Sequence, residues 1–201
     1  DRAIRGVCEI VARSGALEPG TIVVHAAGAQ TLGLLDAAGE AGAFRALMHP
    51  LQSVPSMEQG VKNIPGSYFR IEADPPALAA VQDMVRALGG RELALTRWGG
   101  DPEAAALYHA GAVVVSNYFV TLVAYGLKFF QALGAEKNEA LQAVLPLIKG
   151  TLANIERLGV PSALTGPIAR GDAATVRGQI MALRQRSPEL LDLYRELARQ
   201  T

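Results

Sequence analysis

Apolar residues recur at helical spacing over residues 3–13, where Ile4, Val7, Cys8 and Val11 share one face, and the breaker run "LEPG" ends that helix. "TIVVHAAG" is a short β-branched run closed by Gly28, the pattern of a buried strand. A helix over residues 31–40 and a strand in "AFRALMHP" follow, the strand stopping at His49 because Pro50 lacks a ladder donor. Residues 53–67, with two Pro and two Gly, predict a long loop of the kind that forms lids. "SYFRIEAD" is a further strand, Asp74 caps a helix that opens with Pro75 and closes at Gly89-Gly90, and "RELALT" is a last strand.

After "WGGDPE" the period changes. Helices are predicted over 103–133, 138–158, 173–185 and 188–200, with Asp172 and Ser187 as N-caps. Alternating strands and helices define an α/β layered unit. The expected organisation is therefore residues 1–100 as part of a Rossmann-type parallel sheet, then residues 101–201 as an all-α helical domain. The boundary falls near Trp98 to Asp101. No G-x-G-x-x-G turn occurs anywhere in the sequence. The nucleotide-binding turn of such a sheet is thus not among these residues, and the first half of the sheet is expected to be missing.

Composition narrows the classes. Half of the 201 residues are hydrophobic, enough for a sizeable core. Lys and Arg total nineteen, as do Asp and Glu, so no basic excess marks a nucleic-acid or anionic-membrane partner. Cys8 is the single cysteine, which excludes an internal disulfide and a thiolate zinc cluster. The apolar stretch from Ala110 to Phe130 carries Ser116, Asn117, Tyr118, Thr121, Tyr125 and Lys128. It reads as a buried helix of a soluble, cytoplasmic protein rather than a membrane span.

The three histidines stand at informative places. His25 and His49 end strands, at the edge where open α/β sheets bind ligands. Their spacing fixes no metal site. His109 and Ser116 are seven residues apart, about 20° short of two α-helical turns, and Asn117 is one step round. This polar stripe either hydrogen-bonds to a neighbouring helix or faces a substrate, where His109 would move a proton and Asn117 and Ser116 would orient the substrate. Asn154 shares a face with Thr151 and Leu158. In "ALTGPIARGD", capping explains Asp172, but it leaves Thr165 and Arg170 unexplained.

At "YHAGAVVVSNYFV", "LPLIKGTLANIERLG", "ALTGPIARGD" and the pairing of "HAAGA" with "MHPLQSV", the sequence resembles Rossmann-like proteins that carry a C-terminal domain of unknown function, number 2520. That family is similar to pyrroline-carboxylate reductases and β-hydroxyacid dehydrogenases. The resemblance implies an oxidoreductase using NADP or NAD, acting on a small carbonyl, imine or hydroxy substrate, with a homodimer formed through the helical domain. It places His25, Ala27 and Gly28 near the cofactor, and His49, Thr165, Arg170 and Asn154 around the substrate. His109, Ser116 and Asn117 take the catalytic helix positions. Ala27 stands where the family commonly has Ser, and Gln179 where it commonly has His. The alternatives are a ligand- or nucleotide-binding module without turnover, and a dimerisation domain.

Overall fold

The computed structural model describes residues 1–95 and 100–201. Two compact units divide it, Asp1–Tyr118 and Phe119–Thr201. The boundary expected near Trp98 and the end of the strand "RELALT" fall on residues outside those described.

The first unit runs α1 (Ile4–Arg13), β1 (Ile22–His25), a 3-10 turn and α2 (Asp36–Glu40), β2 (Phe44–Pro50), α3 (Met57–Asn63), β3 (Tyr68–Ala73), a 3-10 turn and α4 (Leu78–Ala87), β4 (Arg91–Glu92) and α5 (Pro102–Val113). The sheet order is β1-β2-β3-β4. β1 pairs parallel with β2, and β3 with β4, but β2 and β3 are antiparallel. A mostly parallel sheet followed by helices is the expected partial Rossmann-type fold, with one reversed pairing that hydrophobic pattern cannot encode.

Pro50 joins the ladder after all. It lies opposite Phe69, between the hydrogen-bonded pair His49–Arg70 and the Leu51 N–H that donates to Tyr68 O at 2.7 Å. Antiparallel positions alternate between bonded and non-bonded pairs, and Pro50 occupies a non-bonded one, where no N–H is needed. The loop expected over 53–67 contains α3. Its N-cap Ser56 accepts from the Gln59 N–H, a capping-box spacing (S-x-x-Q) that the flanking prolines overshadow.

Cys8, Leu35, Ala38 and Ala43 form one core cluster where α1 and α2 pack, joined by Val23 of β1. On the opposite face Val81 and Val85 of α4 are buried, as is Phe69. Asp74 precedes α4 without capping it. Its carboxylate instead accepts from the Arg45 N–H at 2.8 Å, from Nε at 3.2 Å and from Nη2 at 2.9 Å, while Nη1 of Arg45 bonds Asp36 at 2.7 Å. A bidentate guanidinium outcompetes two helical N–H groups for one carboxylate.

The second unit contains α6 (Phe119–Gln131), α7 (Lys137–Leu158), α8 (Gly166–Ala169), α9 (Ala173–Arg186) and α10 (Leu191–Gln200). Leu183, Leu190 and Leu191 form its core with Tyr125, Phe129 and Tyr194 against them. The helical stretch Pro102–Gln131 is thirty residues long, with a mean hydropathy of 1.6 over its most apolar window, and is long and apolar enough to cross a membrane. It is not the buried helix the sequence suggests. Leu107, Val115 and Val120 are 77%, 73% and 67% exposed, and only Ala105 and Leu127 along it are buried.

The Arg45–Asp74 clamp ties β2 to the start of α4. Arg45 holds the Asp74 carboxyl below its ordinary value, chiefly through the side-chain hydrogen bond. That stabilisation is present above the unfolded carboxyl's titration and is lost as pH falls through the lowered folded value. Asp74→Asn is expected to cost about 1–2 kcal/mol in urea unfolding at pH 7, and the gap to wild type should narrow in acid.

Candidate functional site

Side chains directly opposite one another on neighbouring strands share a sheet face. The register pairs His25 with Leu47, Leu47 with Glu72, and His49 with Arg70. Residues two apart on a strand also share a face. His25, His49, Arg70 and Glu72 therefore stand on one face of the sheet, at the end where β1 and β2 finish. Tyr108, on α5, closes over them.

The turn after β1 is built by His25. Its Nδ1 accepts from the Ala27 N–H at 3.2 Å, so Nδ1 carries no proton, and Nε2 donates to Thr31 O at 3.1 Å. Both ring nitrogens are spent inside the turn. Burial, the largest cause, pushes the imidazole below its ordinary value, which keeps this neutral tautomer in place. Ala27 and Gly28 are buried in that turn.

Arg70 fastens the turn to the sheet. It is 1% exposed, and its Nη1 donates to Gly28 O at 2.7 Å while Nη2 bonds Glu72 at 3.1 Å. Burial lowers its basicity, and Glu72 partly restores it. The fastening brings Gly28 against the ring of His49. A Cβ on Gly28 would lie 2.5 Å from Nε2 and 2.7 Å from Cε1 of that ring, so only glycine permits the approach.

His49 Nδ1 lies 3.0 Å from the Tyr108 hydroxyl. The two rings meet edge to face, their centroids 5.6 Å apart, and His109 is 6.4 Å from His49 on the other side. The Arg70 guanidinium is 5.7 Å from the Tyr108 ring centre. Burial, then the charges of His109 and Arg70, lower His49 to about 4, so it is neutral at pH 7. Burial also raises the Tyr108 phenol, which keeps its proton at neutral pH. Two adjoining groups thus present hydrogen-bonding atoms without net charge, beside a buried ion pair.

The structure places His25, Gly28, His49 and His109 in one neighbourhood: Gly28 follows the His25 turn and meets the His49 ring, and His109 lies 6.4 Å from that ring. Ser116 and Asn117 lie in the same unit and are exposed, but their phase differs from expectation. Val114–Tyr118 is π-helical, and its wider turn takes Ser116 and Asn117 off the α-helical phase counted from His109. In the second unit, Asn154 accepts from Arg157 at 3.4 Å on α7, Thr165 is the N-cap position of α8, and exposed Arg170 follows that helix. Asp172 caps α9 as predicted, accepting from the Thr175 N–H at 3.1 Å and hydroxyl at 2.7 Å. Sequence reading missed Arg70, Glu72 and Tyr108. Alternation places Arg70 and Glu72 on the His49 face only once the antiparallel register is known, and Tyr108 reads as an ordinary helical aromatic. Among the described residues no group of three or more His, Cys, Asp or Glu is placed to hold a metal ion.

A mostly parallel sheet with polar groups at its strand ends, continued into a helical unit, defines a partial Rossmann-type fold. The chain belongs to the DUF2520 family, a domain of unknown function, whose model matches residues 67–201. Among solved structures it is similar to protein TM1727 of Thermotoga maritima, with 26% identity and a TM-score of 0.72, over 100% of this chain and 76% of that one. Protein BF3122 of Bacteroides fragilis, named as an NADP oxidoreductase, gives 23% identity and a TM-score of 0.66. The match covers 89% of this chain and 64% of that one, so the chain spans less than two thirds of the Bacteroides protein. A pyrroline carboxylate reductase of Plasmodium falciparum with NADP bound shares the fold at 14% identity and a TM-score of 0.53, over 98% and 73% of the two chains. No curated protein matches the sequence.

The His49 geometry has a pH signature. The folded imidazole, at about 4, lies below the ordinary value of 6.5, so the unfolded chain binds the extra proton first. Stability from this site is complete above about pH 6.5 and declines as pH falls toward 4. Thermal melts of His49→Gln should show a shallower loss of stability over that window than wild type. Equal slopes would mean that His49 titrates normally in the fold.

Proposed function

We propose that this chain is the substrate side of an NAD(P)-dependent oxidoreductase that acts on a small carbonyl, imine or hydroxy compound. The observation that carries the reading is the wall of His49, Tyr108 and His109 at the ends of β1 and β2, held in place by the Arg70–Glu72 pair. Ligands of open α/β sheets bind at this edge. The names of the Bacteroides and Plasmodium neighbours agree with the reading.

The residues fit one end of such a cofactor. Ala26, Ala27, Gly28 and Ala29 are four small residues in succession, and on exposed Ala26 and half-buried Ala29 a flat ring would meet no large side chain of the turn itself. The pyrophosphate is a different matter. The N–H of Ala27 and the carbonyl of Gly28 are already engaged within the protein, and no glycine-rich phosphate turn occurs in the sequence. When bound, a nicotinamide supplies or accepts the hydride. The chain's own task is to orient the substrate, exclude water and hold the balancing proton. His109, with Ser116 and Asn117 further along the helix, contacts the substrate in this reading.

The partner in this proposal is a second copy. Leu122 and Phe130 of α6 and Leu147, Leu152 and Ile155 of α7 are each at least 40% exposed. So many large apolar groups on one small unit mark an interaction surface. Sedimentation equilibrium should give a dimer, and Leu147→Asp with Leu152→Asp should yield monomer with unchanged helical content. A monomeric wild type would exclude the helical unit as a dimerisation surface.

Full-length protein should oxidise NADPH, followed at 340 nm, with at least one member of a panel of 2-oxo acids, aldehydes and five-membered cyclic imines. Tight NADPH binding with no turnover across that panel would favour a sensing module instead.

A further inference from the structure

The turn after β1 is closed from inside by one imidazole. Ala27 O accepts from the Gln30 N–H at 3.2 Å, Thr31 O accepts from Nε2 of His25 at 3.1 Å, and Gly28 O accepts from Arg70. The ring of His25 spans the turn, with Ala27 on one nitrogen and Thr31 on the other. Each of these partners has a single role: the Ala27 N–H only donates and the Thr31 carbonyl only accepts. One state of the ring satisfies both, the neutral imidazole with its hydrogen on Nε2.

Asparagine and aspartate close turns in the same way, by accepting from the N–H two residues on. Nδ1 of His25 stands where their side-chain oxygen stands, one bond beyond Cγ, and it reaches the same N–H over 3.2 Å. The difference is chemical. An amide oxygen accepts at any pH, whereas Nδ1 accepts only while it carries no proton. A second proton would set Nδ1–H against the Ala27 N–H, and the bond from Nε2 to Thr31 would persist. The turn would then part at Ala27, beside the glycine that approaches the His49 ring.

The surroundings favour the neutral ring. His25 is 6% exposed. With α1 it lines a cavity of about 350 Å³ whose other side chains are aliphatic apart from Cys8. From β3 it meets two charges, Arg70, which opposes a second proton, and Glu72, which favours one. On β2, His49 is itself neutral at pH 7. Burial is the largest influence and outweighs the Thr31 carbonyl, so the ring takes its second proton only below the ordinary value of 6.5.

We propose that His25 is a positioning residue of this site, an imidazole doing the work of an Asx side chain, and that one proton on it releases the turn that faces the cofactor. The consequence for the cofactor rests on the oxidoreductase reading above; the latch itself does not. The released form binds the extra proton at the ordinary value and the closed form only below it. Closure is therefore complete above about pH 6.5 and is lost as pH falls through the lowered value.

The test uses the full-length protein. In ¹⁵N-histidine NMR at pH 7.5, His25 should be the Nε2–H tautomer. As pH is lowered, the protection factor of the Ala27 amide should fall in step with protonation of His25. His25→Asn keeps an acceptor for Ala27 and does not titrate, so it should keep that amide protected throughout, whereas His25→Ala should leave it unprotected at every pH. NADP affinity by calorimetry is then compared between pH 7.5 and the lowest pH at which His25 is protonated and the protein folded. It should fall about fivefold further in wild type than in His25→Asn, the scale of one lost hydrogen bond. Titration of the nucleotide's own phosphate is common to both proteins. An Nδ1–H tautomer, Ala27 protection that ignores the His25 titration, or global unfolding before His25 takes its proton overturns the latch and leaves the oxidoreductase reading standing. Equal pH dependence of NADP affinity in the two proteins overturns the hold of the latch on the cofactor. A protein that shows the latch by NMR but binds no NADP overturns the oxidoreductase reading alone.

Discussion

A guanidinium with almost no access to water holds this site together. Burying the Arg70 charge is costly unless it is paired and fully hydrogen-bonded. Its partners include the Glu72 carboxylate and the carbonyl of Gly28, forty-two residues earlier in the chain. Because one of those partners is backbone in the turn after β1, the arginine fixes that turn on the sheet. The turn then sets Gly28 against His49, and His49 meets Tyr108. Each contact depends on the one before it, so the arrangement of α5 over the strand ends follows from one buried ion pair.

The same pairing explains the electrostatics. Arg70 and Glu72 offset one another, and burial keeps the imidazole of His49 unprotonated and the phenol of Tyr108 protonated at pH 7. A neutral pair suits a reaction in which charge appears on the substrate during turnover, since fixed donors then act where no ground-state charge competes for them.

Much of this was readable from residue pattern alone. The strands "TIVVH" and "FRALMH", the change to a helical period after "WGGDPE", and the Asp172 cap all follow from periodicity and local turn chemistry, and His25 and His49 are recognisable by their places at strand ends. What escaped depends on longer-range geometry. No local signal tells an antiparallel β3 from a parallel one, and that pairing alone puts Arg70 beside His49. Asp74 looks like a helix cap because its rival partner, Arg45, is twenty-nine residues away. The π-turn at Val114–Tyr118 breaks the angular bookkeeping on which the His109–Ser116 stripe rested. The apolar residues of Pro102–Gln131 are mostly exposed, so strong hydrophobicity alone does not predict a core.

The most direct measurement is a crystal structure of the full-length protein grown with NADPH and a non-reducible substrate analogue. The account predicts the nicotinamide ring against the small residues Ala26–Ala29, with the analogue beside His49, Tyr108 and His109. A nicotinamide bound far from the ends of β1 and β2, with Tyr108 and His49 sealed in packed interior, would contradict it.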